Sequence, residues 1–293
     1  MIRIGYAGVN TELPSAGKTF RLSGYSEERM LEVSRGNIEA LGEILRWNDR
    51  HGIRLFRITS NLIPFGSHPV NSGSWKRVFR RDFENLGYFI RESGMRVSMH
   101  PGQHTVLNTP DDRFFESVLK DLEYHDAVMS LMGLGRDNVI VVHGGGGYGD
   151  RTGSLRRLRS RINGLPDRYA GRLALENDDR VFTASVIHAL CRQTGLPGIL
   201  DVFHHEVLPS CSGTSTRELI IKFATTWGGF RQKIHYSDQD PDKRKGSHSQ
   251  SVNVSAFGTL LETIGDLELD IMLEAKDKQA SVLALREAYP ELK

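Results

Sequence analysis

Nine side chains able to bind a metal ion stand at or just beyond the ends of short apolar runs: His100, His143, Glu176, Asp201, His204, Lys233, His235, His248 and Glu274. His100 ends Val-Ser-Met-His, His143 ends Val-Ile-Val-Val-His and Glu176 ends Leu-Ala-Leu-Glu. Three successive runs therefore stop on an imidazole or a carboxylate, the nitrogen and oxygen donors that suit zinc or manganese. One such residue alone is more simply a cap or a loop hydrogen-bonding group, but three in register point to a shared ligand. Asp201 and His204 are three apart where a further run ends, so both can face a common centre. A carboxylate there can bridge two cations about 3.5–4 Å apart, the spacing that clamps both oxygens of a phosphoryl displacement. Lys233 and His235 are two apart and share one side of a strand. An amine beside cations must turn away, lose its proton or become an anionic carbamate, and from the residues alone a lysine reaching to solvent is the simpler reading. Glu274 closes the last run, and His248 gains its weight from the set. Carboxylates on several runs offset more charge than one divalent ion brings, which favours two or three ions.

Residues so far apart in sequence need a fold that gathers them. Strand-like runs fall at 2–7, 54–59, 95–100, 138–143, 172–176, 198–203, 232–236 and 269–274. Helix-like stretches follow at 34–50, 75–92, 113–132, 153–163, 183–194, 214–227, 254–264 and 278–288. Such alternation predicts an α/β fold, a single-domain (β/α)8 TIM barrel over residues 1–293, whose strands all end at one face. An open doubly wound sheet is the alternative. Gly144 to Gly147 precede no phosphate-loop Lys and read as a flexible barrel loop. Residues 238–251 read as a long loop at the catalytic face, and His205 and Glu206 as surface loop residues.

Hydrophobic residues at 39% and charged residues at 25% fit a soluble globular chain. A net charge of only +2 means that nucleic-acid affinity must come from local patches. Three are visible: Lys76-Arg77 with Arg80-Arg81, Arg156-Arg157 with Arg159 and Arg161, and Lys243-Arg244-Lys245 inside the long loop, which is the favoured one. Two cysteines, Cys191 and Cys211, without C-x-x-C spacing argue against a disulfide framework. No signal-peptide core or membrane-length apolar stretch is apparent, so a soluble intracellular protein is expected, cytoplasmic or, in a eukaryote, nuclear.

The chain resembles the UV damage endonuclease family, a TIM-barrel relative of endonuclease IV type nucleases. The segments that carry the resemblance are Ile-Arg-Ile-Gly-Tyr-Ala at the start, Phe-Arg-Ile-Thr-Ser-Asn-Leu-Ile-Pro-Phe-Gly-Ser-His at 56–68, Met-His-Pro-Gly-Gln at 99–103 and Val-Val-His-Gly-Gly at 141–145. Leu-Glu-Asn-Asp at 175–178, Asp-Val-Phe-His-His at 201–205, Lys-Ile-His-Tyr-Ser at 233–237 and Met-Leu-Glu-Ala-Lys at 272–276 extend it over the whole chain. The resemblance implies two to three divalent ions, manganese favoured with zinc or magnesium possible. His100, His143 and Glu176 would hold the first, and Glu176, Asp201, His235 and Glu274 the second. His204 and His248 would hold the third, with Lys233 as a carboxylated lysine. It implies damaged double-stranded DNA as the partner, cut immediately 5′ to cyclobutane dimers and 6-4 photoproducts and, less readily, abasic sites. Catalysis would rest on Glu176, Glu274 and Lys233, in a monomer with no evident protein partner. Tyr6 would stack on an extruded nucleotide, Asn10 and His68 would contact it or its phosphates, Gln103 and His104 would fill the gap in the stack, and Lys243, Arg244 and Lys245 would hold phosphates. The family commonly carries Tyr where this chain has His104. An abasic-site endonuclease, a metal-dependent sugar isomerase and a DNA-binding barrel with structural metals are the competing readings.

Overall fold

Val, Ile and Leu dominate the runs that were read as strands, as expected for parallel strands covered on both faces. In the computed structural model, which describes residues 1–210 and 213–293, all eight runs form strands; Cys211 lies outside the described residues. They are β1 (Ile2–Gly8), β2 (Leu55–Ile58), β3 (Arg96–Met99), β4 (Ile140–His143), β5 (Leu173–Glu176), β6 (Gly198–Asp201), β7 (Lys233–Tyr236) and β8 (Leu269–Leu273). Neighbours in sequence pair in parallel, and β8 pairs back onto β1, so the sheet is a closed barrel. The open-sheet alternative is excluded.

The helices depart from the sequence expectation where local capping decides. The first, α1 (Glu27–Arg50), starts well before residue 34 because the Ser26 side chain accepts from the Arg29 amide and Glu27 and Glu28 favour the positive end of the helix. The helix expected over 75–92 is two, α2 (Trp75–Val78) and α3 (Arg80–Glu92), separated at Phe79, whose ψ of 16° leaves the helical range. Then follow α4 (Asp112–Leu131), α5 (Arg151–Asn163), α6 (Asp167–Ala170) and α7 (Ala184–Thr194). The sixth strand stops at Asp201 rather than 203, since its carboxylate accepts from the His204 amide at 2.7 Å and opens α8 (Val202–Val207). His205, expected at the surface, is buried on this short helix. Next comes α9 (Thr216–Ala224), opened by a reciprocal Ser215–Glu218 capping box, then α10 (Val254–Ile264) and α11 (Gln279–Ala288).

Most of the hydrophobic core lies between strands and helices, while the barrel interior is layered along its axis. Ala7, Leu55 and Met272 form one apolar plug, and Val139, Val141, Ala174, Ile199 and Trp227 another. At the N-terminal ends of the strands is a charged floor, where Arg96 also stacks over Trp227 at 5.0 Å. Asp270, fully buried, accepts from Arg3 Nε at 2.7 Å, Arg96 Nη1 at 2.8 Å and Arg231 Nε at 2.9 Å, tying residues from β1, β3 and the approach to β7 to β8. Gly5 on β1 has no room for a side chain, as a Cβ there would lie 1.9 Å from the Leu55 carbonyl oxygen. Gly5→Ala is expected to destabilise the fold by about 1–3 kcal/mol, read as a lower urea midpoint with an unchanged slope.

Candidate metal centre

The strand ends deliver His100, His143 and Glu274 to one cavity of about 1230 Å³ at the C-terminal face of the barrel, which His204 and His248 also line. At its base sits Glu176, the last residue of β5 and fully buried. Its Oε2 is 3.1 Å from His100 Nε2 and 3.9 Å from His143 Nε2, while Oε1 is 2.8 Å from His235 Nδ1 and 3.9 Å from His204 Nδ1. Two overlapping donor groups result, His100, His143 and Glu176, and Glu176, Asp201, His235 and Glu274, with the ligand atoms of each within 4.8 Å of one another. Either group could hold a divalent ion, and Glu176 belongs to both.

Without ions the imidazoles balance the carboxylates. Burial would depress His235, but Glu176 and Glu274 outweigh it and hold its pKa up at about 9. His204 reaches about 9 in the same way, Asp201 and Glu176 overcoming its burial. At His143 burial prevails and lowers the pKa to about 4. Burial lifts Asp201 to about 7, helped by Glu176 and Glu274. Glu274 is held well below the ordinary carboxylate range, because Arg57 and His235 more than offset its burial. Arg57 Nη2 donates to Glu274 Oε1 at 2.5 Å.

The expected third set is gathered less tightly. The rings of His204 and His248 are 5.8 Å apart, and His248 Nε2 lies 3.9 Å from Glu274 Oε2. Lys233 does not reach solvent. It is fully buried beside Asp270 in the strand register, and its Nζ has no hydrogen-bond partner. Burial and the charges of Arg96 and Arg57 push its pKa well below the usual lysine range.

At the rim the expectations divide. His68, Gln103 and His104 are exposed and line the cavity, as does Arg244. Lys243 is held at 3.1 Å by Asp240, which also takes Lys276 at 2.8 Å, and Lys245 is exposed on the same turn. Tyr6 is not available for stacking. It points outward from β1, opposite in parity to Arg3, Gly5 and Ala7, and its ring packs on Phe56 while its hydroxyl donates to Asn48 of α1 at 2.6 Å. Asn10 is likewise buried and spends its amide on the Tyr6 hydroxyl at 3.1 Å. The second basic patch is largely structural: Arg157 Nε donates to the Asn108 carbonyl at 2.7 Å and Arg161 pairs with Asp112 at 2.9 Å. In the first patch, Lys76 pairs with Glu123 at 3.2 Å.

The Gly-rich loop after β4 is tied rather than free, since Asn108 both donates to the Gly146 carbonyl at 2.7 Å and accepts from its amide at 3.1 Å. Arg57 and Lys278 are site residues that sequence reasoning missed. The inward parity of β2 could have revealed Arg57. Lys278 lines the cavity at a φ of 59°, a conformation disfavoured for a side-chain-bearing residue and common at functional sites.

A closed eight-stranded barrel with carboxylates and imidazoles clustered at its strand ends is a TIM barrel whose C-terminal face could hold divalent ions. Within that class the chain belongs to the UV-endonuclease UvdE family, whose profile matches residues 2–293. It is 35% identical to the UV DNA damage endonuclease of Clostridium perfringens over 297 aligned residues, covering 99% of this chain and 71% of that one. The crystal structure of SacUVDE superposes with a TM-score of 0.94 at 36% identity, covering 99% of both chains. D-psicose 3-epimerase, at 15% identity and a TM-score of 0.52 over 80% of this chain and 79% of that one, shares the barrel fold alone. Among the described residues no helix is long and apolar enough to cross a membrane.

Proposed function

We propose that this chain is a divalent-metal-dependent endonuclease that cuts duplex DNA immediately 5′ to UV photoproducts and, less readily, at abasic sites. The observation that supports it best is Glu176, a buried carboxylate common to two ligand sets. The donor chemistry fits metal ions: Asp201 Oδ2 is buried without a hydrogen-bond partner, and His100 Nε2, His143 Nε2 and His235 Nδ1 all lie within 3.9 Å of the Glu176 carboxylate, so nitrogen and oxygen donors converge on one point. His100, His143 and Glu176 would hold one ion, and Glu176, Asp201, His235 and Glu274 a second. His204 and His248 would hold a third, completed by Lys233 once its neutral amine adds carbon dioxide and releases a proton. Manganese suits these donors, with zinc or magnesium as alternatives. When bound, such ions make a nucleophile of water near neutral pH and offset charge on the phosphoryl oxygens.

Hydrolysis joins the water oxygen to phosphorus and breaks the bond from phosphorus to O3′, which takes a proton to become a 3′-hydroxyl and leaves a 5′-phosphate. The chain contributes position: Arg57 fixes Glu274, and Asp201 is locked by the α8 amide it caps. Arg244 and His68 hold the DNA backbone, while Gln103 and His104 enter the stack at the lesion. The enzyme acts as a monomer in the compartment that holds DNA.

End-labelled duplexes carrying a pyrimidine dimer, an abasic site or no damage test this reading, with Mn²⁺ and with chelator. Metal-dependent nicking just 5′ to the dimer is expected. Cutting of the abasic duplex alone would make the chain an abasic-site nuclease, and no cutting of any duplex would overturn the nuclease reading.

A further inference from the structure

We infer that Tyr148, on the loop between β4 and α5, forms a nucleobase-stacking subsite on the cavity wall; the inference rests on the proposed action on DNA. Tyr148 lines the cavity with 51% of its surface exposed. Tyr6, Tyr124, Tyr169 and Tyr236 are all buried by contrast, and the exposed Tyr88 sits on α3 outside the cavity. Exposed rings also occur at Tyr88, Phe114 and Phe230, so it is the place of Tyr148 on the cavity wall, not its exposure, that marks it.

The backbone supports this reading independently. Tyr148 has a φ of 47°, and the loop reaches it through Gly145 and leaves through Gly149 at φ values of 88° and 74°. A residue with a side chain rarely adopts such a conformation unless the surroundings enforce it. The ring is also seated. It lies against Gly146, where a Cβ would come within 2.9 Å of Tyr148 Cε2, and the Arg157 guanidinium carbon is 5.6 Å from the ring centroid. Asn108 clamps this loop to the segment that follows Gln103 and His104, so the ring is held in fixed relation to that turn.

The ligand class follows from the surroundings. Stacking on an aromatic face accepts any nucleobase, and Arg244, together with Arg180 beside its partner Asp179, lines the same cavity and suits the flanking phosphates. Where this chain carries His104 in the turn and buries Tyr6, Tyr148 is an aromatic face presented to the cavity by the fold.

The test compares wild type with Tyr148→Ala, Tyr148→Phe and Tyr148→Trp by fluorescence anisotropy on dimer-containing and undamaged duplexes, in chelator so that no cutting occurs. A 2-aminopurine beside the dimer reports stacking. Tyr148→Ala is expected to lower the ratio of damaged to undamaged affinity by about tenfold and to change the 2-aminopurine signal. Phe and Trp should retain the ratio, and the salt dependence should stay the same because no charge is lost. Unchanged melting temperatures establish that the variants fold. An Ala variant that discriminates as well as wild type, or that weakens both duplexes equally, would overturn the subsite while leaving the nuclease reading intact. A wild type that shows no preference for damaged duplex would also overturn the subsite, and the nuclease reading would then stand or fall on incision of the labelled duplexes with Mn²⁺.

Discussion

Glu176→Gln is expected to abolish incision while leaving the affinity for damaged duplex within a few-fold of wild type. Glu176 is the residue shared by both donor groups, and its oxygens face His100, His143, His235 and His204. An outer-shell change at a metal site costs about 10–100-fold in affinity or activity, so losing a direct ligand from two sites at once should cost on the order of 10³-fold or more. The amide also presents donor hydrogens where the carboxylate offered only acceptors. Single-turnover incision and the rise in melting temperature on adding Mn²⁺ are the two readouts, and both should collapse together. A variant that cuts within tenfold of wild type would mean that the cluster is not the reacting centre. A structural metal site would lose the thermal shift with no turnover to lose.

Asp270→Asn is expected to be the most damaging single change to stability, at the other end of the barrel. It would leave Arg3, Arg96 and Arg231 without their common carboxylate, and Arg96 is almost wholly buried. Removing one partner of a buried ion pair costs about 3–5 kcal/mol, or roughly 5–8 °C in melting temperature for a chain of this size. The pH dependence has a definite sign. Burial alone would raise the Asp270 pKa, but the Arg3 hydrogen bonds and the Arg96 charge lower it overall. A depressed carboxylate contributes stability that is complete above its unfolded pKa of about 3.9 and is lost as pH falls through the lower folded value. The difference between wild type and variant in urea titrations should therefore be constant from neutral pH down to about pH 4 and shrink below it. A difference that persists unchanged well into that acid range would show that the floor is held by packing.

Much of this was legible from residue order. Parallel strands buried on both faces must be apolar, so all eight were visible as runs, and a barrel sends strand ends to one face, which placed His100, His143, Glu176, Asp201, His235 and Glu274 together. What escaped notice follows from side-chain parity and from partners distant in sequence. Tyr6 resembled a rim residue until its outward register set it against α1, and Arg57 was hidden inside an apolar strand although it faces Glu274. The floor around Asp270 joins residues more than 170 positions apart, as between Arg96 and Asp270, and no local pattern announces it. Lys233 was readable only as a paradox, since sequence cannot say that an amine two residues from His235 is wholly enclosed.

The layered barrel interior separates two tasks in the life of the molecule. Its closure is fastened at the floor by Asp270 and three arginines, none of which lines the cavity. Assembly of the barrel can thus precede loading, with imidazoles standing in as counter-charges while the site waits. Because intrinsic affinity ranks first-row metals in nearly the same order at any such site, an ion bound here would be selected by geometry, ligand type and cellular supply. Under the proposed function, metal starvation would then leave a reserve of finished, idle protein that is switched on by metal uptake without new translation.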